Sequence, residues 1–441
     1  MLGYYFQLGL RSLRRNPWLT ALMVMAIGFG VAASMITYSV FRAVSGNPIP
    51  DKSGRLFVPQ IDNWGPQHNR RGEPPDALTY TDAMALMRAG KAKAQTIMYD
   101  LTLSVIPGHE AGSLPFNADG YATTADFFNM FDVPFEYGSA WSRADDDHHA
   151  DVAVIGSDLN QRLFGGGNSV GREINLRGHA YRIVGIVGAW NPQPRYFDLF
   201  SMFAVNGIGG SPQVFVPFEK AIDLKIDTGG RNSCGGGGSI NVGWDGWLRS
   251  ECVWVTGWVQ LDTPADVQRY RQYLSDYALQ LQQAGRLHWA PNVRLRNVQE
   301  WLDYQKVVPP ESRISLAVAL GFFVICLINT VGLLLAKFMR RAPEIGVRRA
   351  LGASRREVYM QFLVEAGTVG LAGGLLGLVL TAVGMLGVGL IFQPQVASLA
   401  HLDLSLVALT VLVSVSATIV AAFYPTWKAA QVQPAWQLKS N

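Results

Sequence analysis

Four stretches of this 441-residue chain hold no charged side chain and are predominantly apolar: residues 18–41, 314–336, 366–392 and 404–427. A helix rises about 1.5 Å per residue, so about 20 such residues cross the hydrocarbon of a bilayer. A helix also satisfies its own backbone where water is absent, which a lone strand cannot do. The chain is therefore expected to cross a membrane four times, once before and three times after a long polar stretch. Its charged fraction of 16% agrees, since a soluble domain carries about 25%.

Arg11, Arg14 and Arg15 precede the first run, as in a signal peptide. The run is too long for a signal-peptide core and no clear A-x-A site follows it, so it reads as an uncleaved anchor. Charge sets the orientation. Those arginines share a side with Lys337, Arg340, Arg341, Arg348, Arg349, Arg355, Arg356, Lys428 and Lys439, opposed there only by Glu344, Glu357 and Glu365. The positive-inside rule makes that side cytoplasmic, both termini included. Residues 43–313 and the loop 393–403 are then outside. Region 43–313 holds 24 Lys/Arg and 29 Asp/Glu, a net charge of −5, with no basic patch interleaved with aromatics. Nucleic acid is not expected as a partner.

Within the outer region, residues 80–90, 158–164 and 263–283 carry helix patterns. The second ends at Gly165-Gly166-Gly167 and the third starts at Asp262-Thr263-Pro264. Residues 102–106 and 152–155 read as strands, and 173–176 with 181–187 as a hairpin turning at Arg177-Gly178-His179. The mixture predicts an α+β domain, or two small ones. Residues 207–246 are glycine-rich, beside Trp244, Trp247, Trp254 and Trp258. They read as a mobile contact surface or, preferably, as a long loop pinned by its tryptophans.

The chain has three cysteines, too few for a disulfide framework or a zinc cluster. Outside the cytoplasm Cys234 and Cys252 could pair. That bridge would close a loop of 17 intervening residues, worth about 3 kcal/mol in a chain-entropy picture. Asp145-Asp146-Asp147-His148-His149 offers metal-ligand side chains, but consecutive residues cannot all converge on one ion. It reads as an acidic surface loop, and no metal site is expected.

No G-x-x-x-x-G-K-[ST] or H-E-x-x-H occurs, so neither a phosphate cradle nor a zinc protease is expected. The apolar runs contain no Asp, Glu, Lys, Arg or His, one of which an ion-coupled carrier usually needs near the midplane. A membrane machine driven by another protein is what these exclusions leave.

The most informative stretch joins the second and third runs: Glu344-Ile345-Gly346-Val347-Arg348-Arg349-Ala350-Leu351-Gly352-Ala353-Ser354-Arg355. It reads as a short basic helix, a break at Gly352, and a second helix that Ser354 and Glu357 cap and that runs into the third span. Any basic loop would hold to a membrane surface, but this order closely resembles the E-I-G-I-R-R-A-L-G-A-S-R loop of FtsX/MacB-type ABC transporter permeases. The resemblance extends over most of the chain. Leu10 to Pro17 is similar to the family's amphipathic N-terminal helix. Residues 121–128, 152–155, 162–165, 170–172 and 181–187 are similar to its periplasmic core, and Pro425, Ala429, Ala430 and Pro434 to its P-x-x-x-A-A-x-x-x-P ending. Ala342-Pro343 departs from the Thr-Arg that the family often has before Glu-Ile-Gly.

The resemblance implies a multi-pass protein of the bacterial inner membrane: an α-helical membrane part with a large α+β extracytoplasmic domain. Its parts are a cytoplasmic amphipathic helix (1–17), spans at 18–42, 314–336, 366–392 and 404–427, a periplasmic domain (43–313), a coupling loop (337–365), a short periplasmic loop (393–403) and a tail (428–441). It implies no activity in the chain alone. A dimeric ABC ATPase, holding ATP and magnesium, would dock on Glu344, Ile345, Gly346, Arg348, Arg349, Leu351, Gly352 and Ser354. The second span, continuous with the coupling helix, would carry the movement outward. A second permease chain, itself or a sister, would complete the complex; Gly370/Gly374 and Gly373/Gly377 suit either contact with it or packing within one chain. Export of an unidentified substrate, through an adaptor and an outer-membrane channel, is the first expectation. Activation of a periplasmic partner such as a cell-wall hydrolase, or extraction of lipoprotein or lipid, is the alternative.

Overall fold

The computed structural model describes residues 17–69, 71–107, 114–201, 204–205, 208–229, 232–235, 243–307, 310–391 and 404–431. The N-terminal amphipathic stretch, the loop 393–403 and Pro434 lie outside them. The chain divides into two compact units: Gly46–Val307, and Met1–Ser45 joined by Val308–Asn441.

The second unit is helical. Pro17–Ser45, Pro310–Met339, Arg355–Ile391 and Leu404–Ala430 each contain a segment long and apolar enough to cross a membrane. The third helix has 37 residues, about 55 Å, so it extends well beyond about 30 Å of hydrocarbon. Met23, Ile27 and Val31 of the first helix are buried with Phe338 of the second and Phe362 and Val369 of the third. Glycine allows the closest approaches. A Cβ on Gly373 or Gly377 would meet Ile27 at 2.7 Å or Val31 at 2.9 Å, and one on Gly370 or Gly374 would meet Thr418 at 2.8 Å or Ser414 at 3.1 Å. The two stripes therefore seat the first and fourth spans of the same chain. Ile314, Val318, Val324, Val379, Val383 and Val420 point outward, as lipid-facing side chains do.

The first unit is one domain around a mixed ten-stranded sheet. Its strands are β1 (Leu56–Ile61), β2 (Ala94–Ile106), β3 (Phe116–Thr123), β4 (Phe135–Gly138), β5 (Val152–Gly156), β6 (Glu173–Leu176) and β7 (His179–Val187). A separate small ladder pairs β8 (Ala204–Val205) with β9 (Ile208–Gly209), and β10 (Val214–Pro217), β11 (Thr256–Gln260) and β12 (Val293–Asn297) complete the set. The order is β12-β1-β11-β2-β3-β10-β5-β7-β4, with β6 pairing β2 and β7. The β10–β3 and β5–β7 pairs are parallel and the others antiparallel.

Local chemistry explains much of this. Thr263 and Asp266 close a capping box on helix Pro264–Gln283, whose Tyr270, Leu274 and Ala278 repeat every four residues and are buried. Arg177 and Gly178, with φ of 51° and 88°, make the two-residue turn between β6 and β7; His179 belongs to β7 rather than to the turn.

Two expectations need correction. The glycine-rich stretch is not one loop: it contains β10, whose Val214, Phe215 and Val216 are fully buried in the middle of the sheet, and helix Phe218–Asp223. Each such side chain contributes about 1.5–3 kcal/mol by burial. The tryptophan pinning is seen: Trp254 stacks on Trp247 at 6.0 Å and meets Tyr99 edge-on at 5.1 Å. Nor is the acidic run a plain surface loop. Arg143–Asp147 is a helical turn capped by Ser142 and Asp145, and Asp146 turns inward to accept bonds from Ala125 N and Trp141 Nε1, both at 2.7 Å.

Candidate functional site

The loop between the second and third spans is built from helix ends. Arg340 N still bonds Ala336 O at 3.2 Å, but Arg341 N turns to Phe338 O at 3.1 Å and the helix stops. Were it to continue, the Pro343 ring would strike the carbonyl of Met339. A new helix, Ala342–Ala350, starts instead with Pro343 in its first turn. The expected continuity of the second span with this helix is therefore absent, and proline is the reason.

The short helix ends in a Schellman motif. Gly352 takes φ 100°, its N–H bonds Arg349 O at 3.2 Å, and Ala353 N bonds Arg348 O at 3.1 Å. Ser354 then caps the next helix: Ser354 Oγ accepts from Glu357 N at 3.2 Å and Glu357 Oε2 from Ser354 N at 2.8 Å. That helix, Arg355–Ile391, becomes the third span without a break.

An ionic network, buried at Lys337 and Glu365 and open to solvent at Arg348, ties the short helix to the base of the third span. Glu365 accepts from Lys337 Nζ at 2.9 Å and from Arg341 Nη1 at 2.8 Å, with the Lys337 and Glu365 side chains 1% and 3% exposed. Arg341 also reaches Glu344 at 3.3 Å. Glu344 accepts from Arg348 Nη2 at 2.7 Å, and Arg348 Nη1 donates to Gln361 at 3.0 Å. Phe338 packs on Phe362, ring centres 4.3 Å apart, beneath the network. Charges as deep as Lys337 and Glu365 persist only with a partner of opposite sign.

The structure sorts the sequence candidates into two sets. Glu344 and Arg348 belong to the network, and Ile345 and Gly346 are buried beneath it. Leu351, Gly352 and Ser354 face outward with Arg355 and Arg356, and Arg349 is half-exposed. Val347 and Leu351, 55% and 83% exposed, make an apolar edge on this basic surface. Sequence reasoning missed Lys337, Arg341 and Glu365 as structural partners. Their signal was position: each sits at the margin of an apolar run, where charge was used only to assign sides.

The other candidates lie elsewhere. Cys234 and Cys252 are joined in a disulfide, while Cys326 is buried and free. No group of three or more metal-ligand side chains occurs among the described residues. Gly167-Asn168-Ser169-Val170-Gly171 has the spacing of a serine-hydrolase elbow. However, it leaves helix Ser157–Phe164 rather than turning from strand into helix, and Ser169 is 1% exposed.

The MacB-like periplasmic core domain family matches residues 20–277, and the FtsX-like permease C-terminal family matches residues 316–434. The pyoverdine export ATP-binding/permease protein PvdT of Pseudomonas aeruginosa is 26% identical over 433 residues, 97% of this chain and 57% of that protein. The macrolide export ATP-binding/permease protein MacB of Azoarcus sp. is 25% identical over 442 residues, 98% of this chain and 58% of that protein. The chain thus spans a little over half the length of these relatives. A crystal structure of the periplasmic region of MacB from Actinobacillus actinomycetemcomitans aligns with 58% of this chain and 94% of its own, at 13% identity and TM-score 0.36.

Proposed function

The chain belongs to the FtsX/MacB-type family of ABC transporter permeases, and from that premise we propose that it is the permease of an inner-membrane exporter driven by an ATPase outside these 441 residues. The ATPase, as a dimer holding ATP and magnesium, docks on the outer face of residues 342–356. Its closure moves the short helix, and the third-span helix carries that movement across the membrane to the first span packed against it, whose chain continues into the large domain. Cargo is expelled on the far side, with an adaptor and an outer-membrane channel as further partners.

The ionic network is the observation that carries this reading. It makes the short helix and the start of the third span one rigid piece, while leaving Val347 and Leu351 exposed for a partner. Export is favoured over signalling or lipid extraction because both relatives are named for export. The glycine stripes are occupied within the chain, so a second permease chain must meet another face.

The test is purification of the tagged chain in lipid nanodiscs with every bound subunit identified by mass spectrometry. Val347→Glu with Leu351→Glu should abolish ATPase association and turnover while the protein stays inserted. Wild-type association in that variant would overturn the docking face. A bound adaptor and channel support export, whereas a hydrolase or a lipoprotein carrier replaces it with the corresponding alternative.

A further inference from the structure

The large domain holds a cleft of about 520 Å³, separate from the loop between the spans. It opens where helix Tyr80–Ala89, the start of β2, residues 124–126, helix Arg143–Asp147 and helix Phe218–Asp223 converge. Small-molecule sites typically measure about 300–1,000 Å³. Met84, Met87, Ile97 and Phe218 supply an apolar lining, and methionine adapts to irregular ligand shapes.

The charges in the cleft do not balance. Arg143 is committed to Asp126 through bonds of 2.9 and 2.6 Å. Lys93 pairs with Asp262, and His149 with Asp223. Setting those pairs aside, the described residues that line the cleft include one cation, Arg88, and three carboxylates, Asp146, Asp147 and Glu219. Asp146 takes its hydrogen bonds from neutral donors, Ala125 N and Trp141 Nε1. Burial pushes its carboxyl up to about 6 and raises that of Glu219 as well, with His149 and Arg88 opposing the rise at Glu219. Gln95 adds a buried Oε1 with no hydrogen-bond partner among the described residues. The lining thus offers spare acceptors and negative charge beside an apolar wall.

We infer that this cleft binds a small cationic amphipath, its amine or guanidinium meeting Asp146 and Glu219 and its apolar body lying on Met84 and Met87. An anion would face the surplus carboxylates, and a neutral apolar molecule would leave Gln95 Oε1 without a donor and bring Asp146 no positive charge. The inference rests on the export reading only for what becomes of the bound molecule. The test below needs no ATPase, so its failure leaves that reading standing.

The experiment is fluorescence anisotropy of rhodamine 6G, a permanent cation on an apolar ring system, titrated with the full chain in phosphatidylcholine nanodiscs against empty discs. Saturable binding is expected, with sulforhodamine B, its anionic counterpart, binding at least 10-fold more weakly. Asp146→Asn with Glu219→Gln should weaken rhodamine 6G binding about 10-fold. Arg88→Glu, an exposed change, should tighten it about 3-fold, a gain that misfolding cannot produce. No saturable binding above empty discs, equal affinity in all three proteins, or equal affinity for the two dyes would overturn the inference.

Discussion

Glu365 holds two cations, Lys337 and Arg341, in a site from which water is nearly excluded. Removing Glu365 takes the opposite charge from buried Lys337 and leaves Arg341 with Glu344; breaking a buried pair in this way typically costs about 3–5 kcal/mol. Glu365→Leu should therefore destabilise the detergent-solubilised protein severely, read as a large fall in melting temperature. Lys337→Met combined with Glu365→Leu should recover much of the loss, because an apolar pair replaces the ionic one. If the double variant were no more stable than the single, the network would not be the source of the effect. Asp146 permits a pH prediction. Its carboxyl titrates near 6 in the folded protein against 3.8 when free, so between those values the folded protein keeps a proton that the unfolded chain has lost. Its contribution to stability therefore falls as pH rises through that window, by about 2–3 kcal/mol in all. Asp146→Asn removes this titration, so thermal melts across pH 4–6 should show a flatter profile than wild type.

At the scale of elements, what the sequence made legible was whatever local chemistry decides. The uncharged runs gave the spans, and Asp262-Thr263-Pro264 and the Ser354/Glu357 box gave helix starts that the structure keeps. What was hidden depended on distant neighbours. β10 is buried throughout and shows no alternation, so among glycines it looked like loop. β2 runs for 13 residues, of which only the alternating end at 102–106 was visible. Lys337 and Glu365 are 28 residues apart in sequence and gave no sign of pairing. The glycine stripes were legible as spacing, but their partners were not. Gly370 lies against Thr418, whereas Gly332 in the second span is exposed with open space around it. Gly370→Leu should consequently cost about 1–3 kcal/mol through overpacking, and Gly332→Leu close to nothing, in matched melts. Equal effects would mean that the third and fourth spans are not packed as described.

Across the whole molecule, the proposed mechanism turns on which helix would carry force from an ATPase docked at residues 342–356. The second span is separated from the short helix by the turn at Arg340 and Arg341, which Pro343 enforces. The third span has no such joint between Arg355 and Ile391. A turn bends under load, whereas a continuous helix holds its length, so the third span is the stiffer path. Two glycines inserted between Arg340 and Arg341 lengthen a joint that is already present. That variant should keep cargo export coupled to ATP hydrolysis in proteoliposomes. Val364→Pro puts a break inside the third helix, beyond the docking face, and removes a backbone bond at a cost of about 3 kcal/mol. It should retain the ATPase, measured by co-purification, but hydrolyse ATP without export. Transmission through the second span predicts the reverse: the insertion uncouples and the proline does not. Since Val347 and Leu351 are unchanged in both proteins, retained ATPase separates a failure of transmission from a failure of docking.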